Sequence, residues 1–173
     1  MTILFGEERH SIIVQTKKGT DIDNEQLKEI SSFELKQLRN FDDYRKYCYF
    51  RGDVSPLYNC HGMTFANRRT GIFEFDAIEQ ILKDDDYEEI ASKDTLPGDI
   101  AIYWENNDVQ HSGIVVGTTG PFVGSSEPLI LHTPWICSKW GKGPEVVHAY
   151  NNCPYNVQDI KYYRMGSWKS KTD

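Results

Sequence analysis

The sequence predicts an α+β fold in which helices precede an antiparallel β-sheet. Three features predict it. Apolar residues of the first half recur near helical spacing, as Leu27, Ile30, Leu35 and Leu38 and again as Ile78, Ile81 and Leu82. The second half consists of short β-rich runs separated by Gly, Pro and Asn. Between them a cysteine, Cys60, stands where a turn gives way to a helix. With 173 residues, 39% hydrophobic and 26% charged, the chain is long enough to bury one real core. We therefore expect a single domain over 1–173, with a strand and helix extension over 1–55 and the chemistry in a core over 56–166.

Taken in order, Ser11 to Gln15 reads as a strand ended by the turn Lys17-Lys18-Gly19. Asp23 to Leu38 reads as one interrupted helix or two short ones, with Ser31 or Ser32 capping the second and Glu34 near its first turn. Asn40 to Phe50 reads as an aromatic-rich helix packed through Tyr44, Tyr47, Tyr49 and Phe50. Pro56 and Asn59 form turns, and a helix from Cys60 to Arg69 fits, with Gly71 just beyond it. Asp76 can cap the next helix, and Lys83-Asp84-Asp85-Asp86 reads as its solvated end, since it lacks the glycine turn and distal Glu of a calcium loop.

Leu96-Pro97-Gly98-Asp99 is a turn. It leads into Ile100-Ala101-Ile102-Tyr103-Trp104, apolar on both faces as in a central strand. After the polar loop Glu105 to Asp108, His111 to Gly117 forms a second strand, and the two pair as a hairpin. Thr118 to Pro128 reads as a loop. Leu129 to Thr133 and Trp135 to Trp140 follow as strand pieces separated by Pro134, which cannot donate a ladder hydrogen bond. Val146 to Tyr150 and Ile160 to Arg164 are the last strands, with a frayed tail after Gly166.

The net charge of -7 argues against nucleic-acid and anionic-membrane partners, which need a basic patch. No apolar run of ~18 residues occurs, and Met1 to Glu8 lacks a basic and apolar leader, so a cytoplasmic location is expected, with export by a non-classical or contact-dependent route left open. The spacing of Cys48, Cys60, Cys137 and Cys153 contains no C-x-x-C pair. We expect four reduced thiols, no metal site and no cofactor.

A cysteine opening a helix faces unpaired N–H groups and the positive end of the dipole, which favour the thiolate and would lower its pKa from ~8.5 toward neutrality. The same N–H groups could hold an oxyanion. The alternative is a buried, inert cysteine. A nucleophilic thiol also needs a base within hydrogen-bond reach. His111 meets that need from the start of a strand, the alternative being an ordinary histidine at a strand edge.

The order Cys60 at a helix start, then Leu96-Pro97-Gly98-Asp99-Ile100-Ala101-Ile102-Tyr103, then His111-Ser112-Gly113-Ile114-Val115-Val116-Gly117 resembles the NlpC/P60 branch of the papain-like cysteine peptidases. The resemblance covers Tyr58 to Gly117. Asn59 and His61 depart from the Asp and Ser that flank the nucleophile in that family, and the first ~55 residues have no counterpart in it. It implies a papain-like domain in which Cys60 attacks a carbonyl carbon, His111 moves the proton, and a third polar residue orients His111 from the neighbouring strand. Ser138 is the first choice for that residue, His132 the second and His148 the third. Lys139 and Trp140 could line the cleft and bind substrate, and Tyr58 and Asn59 could help form the oxyanion site. The implied function is hydrolysis of amide bonds, with a peptide or peptidoglycan-like substrate and an inhibitor or immunity protein as partner. Deamidation or transglutamination of protein glutamine, and a binding module with a vestigial site, remain as alternatives.

Overall fold

The computed structural model describes residues 10–119, 132–155 and 157–166. Among them the architecture is α+β, with few helices and a seven-stranded sheet in the order β1-β6-β5-β4-β3-β7-β2. The strands are β1 (Tyr49–Arg51), β2 (Tyr87–Ile90), β3 (Ile100–Glu105), β4 (Asp108–Thr119), β5 (Thr133–Lys139), β6 (Glu145–Ala149) and β7 (Asp159–Met165). Every neighbouring pair is antiparallel.

The helices are shorter than the sequence suggests. No helix covers 23–31. Those residues run extended, and Glu25 and Gln26 bridge to Gly71 and His10. Helix α1 (Ser32–Gln37) starts where Ser31 and Glu34 form a capping box, and a 3-10 segment, Leu38–Lys46, continues it. The aromatic helix expected over 40–50 is this segment followed by β1. Tyr44 and Phe50 pack as foreseen, whereas Tyr47 and Tyr49 are exposed. Ser11 to Gln15 forms no regular strand and makes one isolated bridge, from Gln15 to Asp21.

Helix α2 (Cys60–Phe65) stops short of Arg69 because Asn67 and Arg68 adopt left-handed backbone, with φ of 50° and 65°. Helix α3 (Phe75–Asp84) is entered through Glu74, so Asp76 lies in its first turn and is not its cap. Its acidic end is solvated at Lys83 and Asp86 but not at Asp84. Asp84 is buried and accepts from Thr16 Oγ1 at 3.0 Å, Thr20 Oγ1 at 2.7 Å and Gln80 Nε2 at 2.7 Å, which ties the N-terminal segment to α3.

The β3–β4 hairpin forms as expected. Asn106 and Asn107 are its two loop residues, both with positive φ, the turn whose twist matches paired strands. At the preceding turn, the Asp99 carboxylate accepts from Leu96 N and takes a two-pronged ion pair from Arg164. Pro134 does not end its strand: it lies inside β5 opposite Thr118. The expected piece Leu129 to Leu131, the loop beyond Thr119 and the tail after Gly166 lie outside the described residues.

The sheet is buried on both faces. One side of β3 packs Ile100 and Ile102 against Ala66, Ile72, Ile78 and Ile81, burying the apolar stripe of α3. On the other, Ala101 and Tyr103 join Val115, Ile136 and Tyr162. A third cluster surrounds Trp140, against which Phe41, Tyr44 and Phe50 stand edge-on at 5.1, 5.1 and 5.6 Å. No helix among the described residues is long and apolar enough to cross a membrane.

Candidate active site

Cys60 opens α2 because Asn59 caps it. The Asn59 side-chain oxygen accepts from Gly62 N at 2.9 Å and from Ile72 N at 3.1 Å, and its Nδ2 donates to Ile72 O at 2.6 Å. The amide is thus committed to holding the helix start and is not free for the expected oxyanion role. Gly62 lets the following chain lie against the helix: a Cβ there would stand 1.7 Å from the Thr70 carbonyl oxygen.

The helix lies on the β4 face that carries Ser112. His61 Nδ1 is 2.8 Å from Ser112 Oγ, which donates to Thr64 Oγ1 at 3.0 Å, and Thr64 in turn donates to the Cys60 carbonyl at 2.9 Å. Because Ser112 donates onward, His61 presents Nδ1–H to it. The backbone N–H of Ser112 also points at the Cys60 sulfur. That N–H belongs to the peptide joining His111 to Ser112, so one peptide group links the imidazole to the thiol's hydrogen-bond donor.

His111 itself is turned to the opposite face. It pairs across the hairpin with Tyr103, and the register slips between Tyr103 and Trp104, where Val109 is the next partner and Gln110 is extra. This bulge immediately before His111 re-aims its side chain. The ring stacks on Tyr155, centroids 4.3 Å apart, and lies 5.4 Å from the Tyr103 ring. It is 0% exposed and neither ring nitrogen has a hydrogen-bond partner. The Cys60 to His111 hydrogen bond expected from the sequence is therefore not formed in this state.

Burial governs the charges. It pushes the Cys60 thiol up to about 11, outweighing the N–H groups of Ser112, His61 and Cys60 itself and the Lys139 ammonium, all of which pull the other way. This reverses the expected lowering, because the helix start is covered instead of open to solvent. Burial also holds His111 well below its ordinary value, with His61 and His148 opposing its charge. Burial thus favours the neutral form of both thiol and imidazole.

The other expected site residues are distributed as follows. Ser138 does not orient His111. Its Oγ is 2.8 Å from His148 Nε2 and accepts from Trp140 Nε1 at 3.1 Å, while His148 Nδ1 reaches the Ala149 carbonyl at 2.9 Å. His132 is bonded to Thr95 Oγ1 at 2.8 Å. None of these three residues orients His111. Trp140 is fully buried as the hub of its aromatic cluster and does not line a cleft.

Tyr58 is tied to Glu145, its hydroxyl donating to Oε1 at 2.9 Å; burial first and that bond second push it up to about 12. Lys139 is fully buried, donates to the Gly143 carbonyl, and holds Nζ 4.8 Å from the Tyr58 ring centroid. It is not presented to solvent as a substrate contact. Burial lowers its pKa to about 8, against the pull of Glu145 and Cys60.

Three residues given no role by the sequence belong to this region. Ser112 follows His111 directly, and its place in the strand was the available signal. Glu145 accepts both prongs of Arg68, at 2.5 and 3.1 Å; burial alone would raise its carboxyl, and the guanidinium and the Tyr58 hydroxyl overcome this and hold it low. Tyr155 covers His111 and, with Cys153, lines a cavity of about 570 Å3 that also touches Tyr150, Gln158 and Tyr162. All four cysteines are free. Among the described residues no cluster of His, Cys, Asp or Glu could hold a metal ion. Set against protein-family models, curated proteins and solved structures, the chain matches none.

Proposed function

We propose that the chain is a cysteine-dependent hydrolase of amide bonds with a papain-like, NlpC/P60-type arrangement, in which Cys60 is the nucleophile and His111 the base. One observation carries the reading. His111 is wholly buried with both ring nitrogens unpartnered, a condition it shares with the hydroxyls of Tyr103 and Tyr162, that costs a few kcal/mol and that a reaction at the imidazole would account for. It stands one peptide from the N–H that holds the Cys60 sulfur.

In this reading the described conformation is the closed one. Tyr155 separates His111 from the neighbouring cavity; catalysis requires it to move aside and His111 to turn to the Cys60 sulfur. Once His111 has turned to the sulfur, a neutral thiol and a neutral imidazole suit general-base catalysis: His111 takes the Sγ proton as sulfur bonds to the carbonyl carbon. The N–H groups at the start of α2 receive the oxyanion. The tetrahedral species then expels the amine, which leaves with the proton from His111. Water resolves the thioester, His111 again taking a proton and returning it to sulfur.

The substrate class we propose is a peptide of the cell-wall stem type. Incubation with purified peptidoglycan, and separately with glutamine-containing proteins plus an amine, tests this. The expected result is release of new amino termini from peptidoglycan by the wild type and none by Cys60→Ala. Ammonia release or amine incorporation without peptide cleavage would move the reading to a deamidase or transglutaminase, and equal activity of Cys60→Ala would remove it.

A further inference from the structure

The cavity beside His111 carries in its wall a polar group that no other described residue answers. The connection from β6 to β7 forms one side of it, and β7 itself the other. Both ends of that connection are pinned. Tyr150 N donates to Pro134 O at 3.0 Å and Asn152 N to Ala149 O at 2.8 Å, while Gln158 N donates to Trp104 O at 2.9 Å and its side chain is bonded twice to Asn106. The cavity is therefore preformed, and its volume of about 570 Å3 falls within the range of small-molecule sites. Tyr155 is a shared wall: it lines the cavity and stacks on His111.

The lining selects among ligands. No lysine, arginine or histidine is among the described residues that form it, so a phosphate or carboxylate would meet no counter-charge. Its one carboxylate, Asp159, is exposed and already accepts from Ile160 N at 2.8 Å, which makes it a screened and weak partner for a cation. The other polar groups are uncharged, among them the hydroxyls of Ser92, Tyr150 and Tyr162 and the amide of Asn151. Tyr162 is 3% exposed, and its hydroxyl makes no hydrogen bond among the described residues, although Ser92 comes near it. A buried donor left in this way calls for an acceptor from outside the chain. Val157 and Ile160 pack on the same cluster as Tyr162 and give the wall an apolar part. Tyr150, the most exposed of the lining tyrosines, supplies an aromatic ring at the rim.

We propose that this cavity is a binding site for an N-acetylhexosamine, whose acetamido carbonyl accepts from the Tyr162 hydroxyl. The acetamido methyl lies against Val157 and Ile160, the C–H face of the pyranose packs on the Tyr150 ring, and the sugar hydroxyls exchange hydrogen bonds with Ser92, Asn151 and Asp159. Such a ligand is uncharged, half apolar and rich in hydroxyls, as the lining requires. The inference goes beyond amide hydrolysis and does not need it, because binding is read without any cleavage.

The test is calorimetric titration of the full chain at pH 7 with three probes: the β-1,4 trimer of N-acetylglucosamine, the trimer of glucosamine, and cellotriose, which carries a hydroxyl in place of each acetamido group. The acetylated trimer is expected to bind the wild type, and cellotriose to bind about tenfold more weakly or less. Tyr162→Phe keeps the ring and removes only the unanswered donor. It is expected to weaken binding of the acetylated trimer roughly 3 to 10-fold while the melting temperature holds or rises, since no group of the chain loses a partner. Tyr150→Ala is expected to weaken the same binding by removing the ring on which the sugar packs. Absence of binding by the acetylated trimer at millimolar concentration, equal binding of cellotriose, or equal affinity of wild type and Tyr162→Phe overturns the inference. A preference for the glucosamine trimer that disappears in Asp159→Asn also overturns it, in favour of a cation site.

Discussion

His111→Ala is expected to lower amide cleavage by about 10^2 to 10^4-fold, the usual contribution of a positioned general base. Cys60→Ala is expected to abolish it. The two losses differ in kind. Without His111 the Ser112 N–H and the start of α2 remain, so the oxyanion is still held and a residual rate rising with pH survives as hydroxide replaces the imidazole. Without the sulfur no thioester forms. Neither side chain anchors a hydrogen-bond network through its own ring or thiol in the way Asn59 does, so both variants should keep the fold, as circular dichroism would show. Rates measured against the same peptidoglycan preparation decide it. A His111→Ala enzyme as fast as the wild type would remove the imidazole from the mechanism.

The second large effect is on stability in acid. Burial pushes His61 and His148 down to about 4, and His111 is held well below its ordinary value. A histidine kept neutral in the fold takes up its proton near 6.5 once unfolded, so acid favours the unfolded chain from that pH downward. At ~1.4 kcal/mol per pH unit, His61 and His148 each cost roughly 3 kcal/mol between pH 6.5 and 4. Set against a total stability of about 5–15 kcal/mol, this removes a large part of it by pH 4. The carboxyls of Asp99 and Glu145, held low by Arg164 and Arg68 against burial, have the opposite window. Their contribution is complete above the ordinary carboxylate range and is lost only below it. Urea midpoints from pH 7.5 to 4.5 are thus expected to fall steeply below 6.5, while a flat profile down to 4.5 would contradict the neutral histidines.

Local chemistry made some features legible from sequence. Asn106-Asn107 announces a two-residue hairpin, Leu96-Pro97-Gly98-Asp99 a turn, and the Ser31 to Glu34 spacing a capping box. Cys60 could be placed at a helix start because the turn formers Pro56 and Asn59 precede a stretch with few helix breakers. Features set by register or by distant partners were not legible. Ser138 appeared free to orient His111, yet pairing brings His148 beside it from β6. Asp84 reads as surface charge until Thr16 and Thr20 arrive from nearly seventy residues away. The left-handed Asn67 and Arg68 shorten α2 although their side chains give no strong helix-stop signal. The raised thiol depends on burial by the assembled sheet, which helix position alone does not reveal.

The most direct test of the Cys60–His111 assignment is the order in which the four cysteines react with iodoacetamide at pH 7 in the folded protein. Cys153 is the more exposed thiol, whereas Cys48, Cys60 and Cys137 are all buried, so accessibility alone would put Cys153 first. A base that reaches the sulfur when the site opens reverses that order. Our assignment predicts that Cys60 is modified first and drops behind Cys153 in His111→Ala. Cys60 reacting last in the wild type, at a rate untouched by His111→Ala, would contradict it.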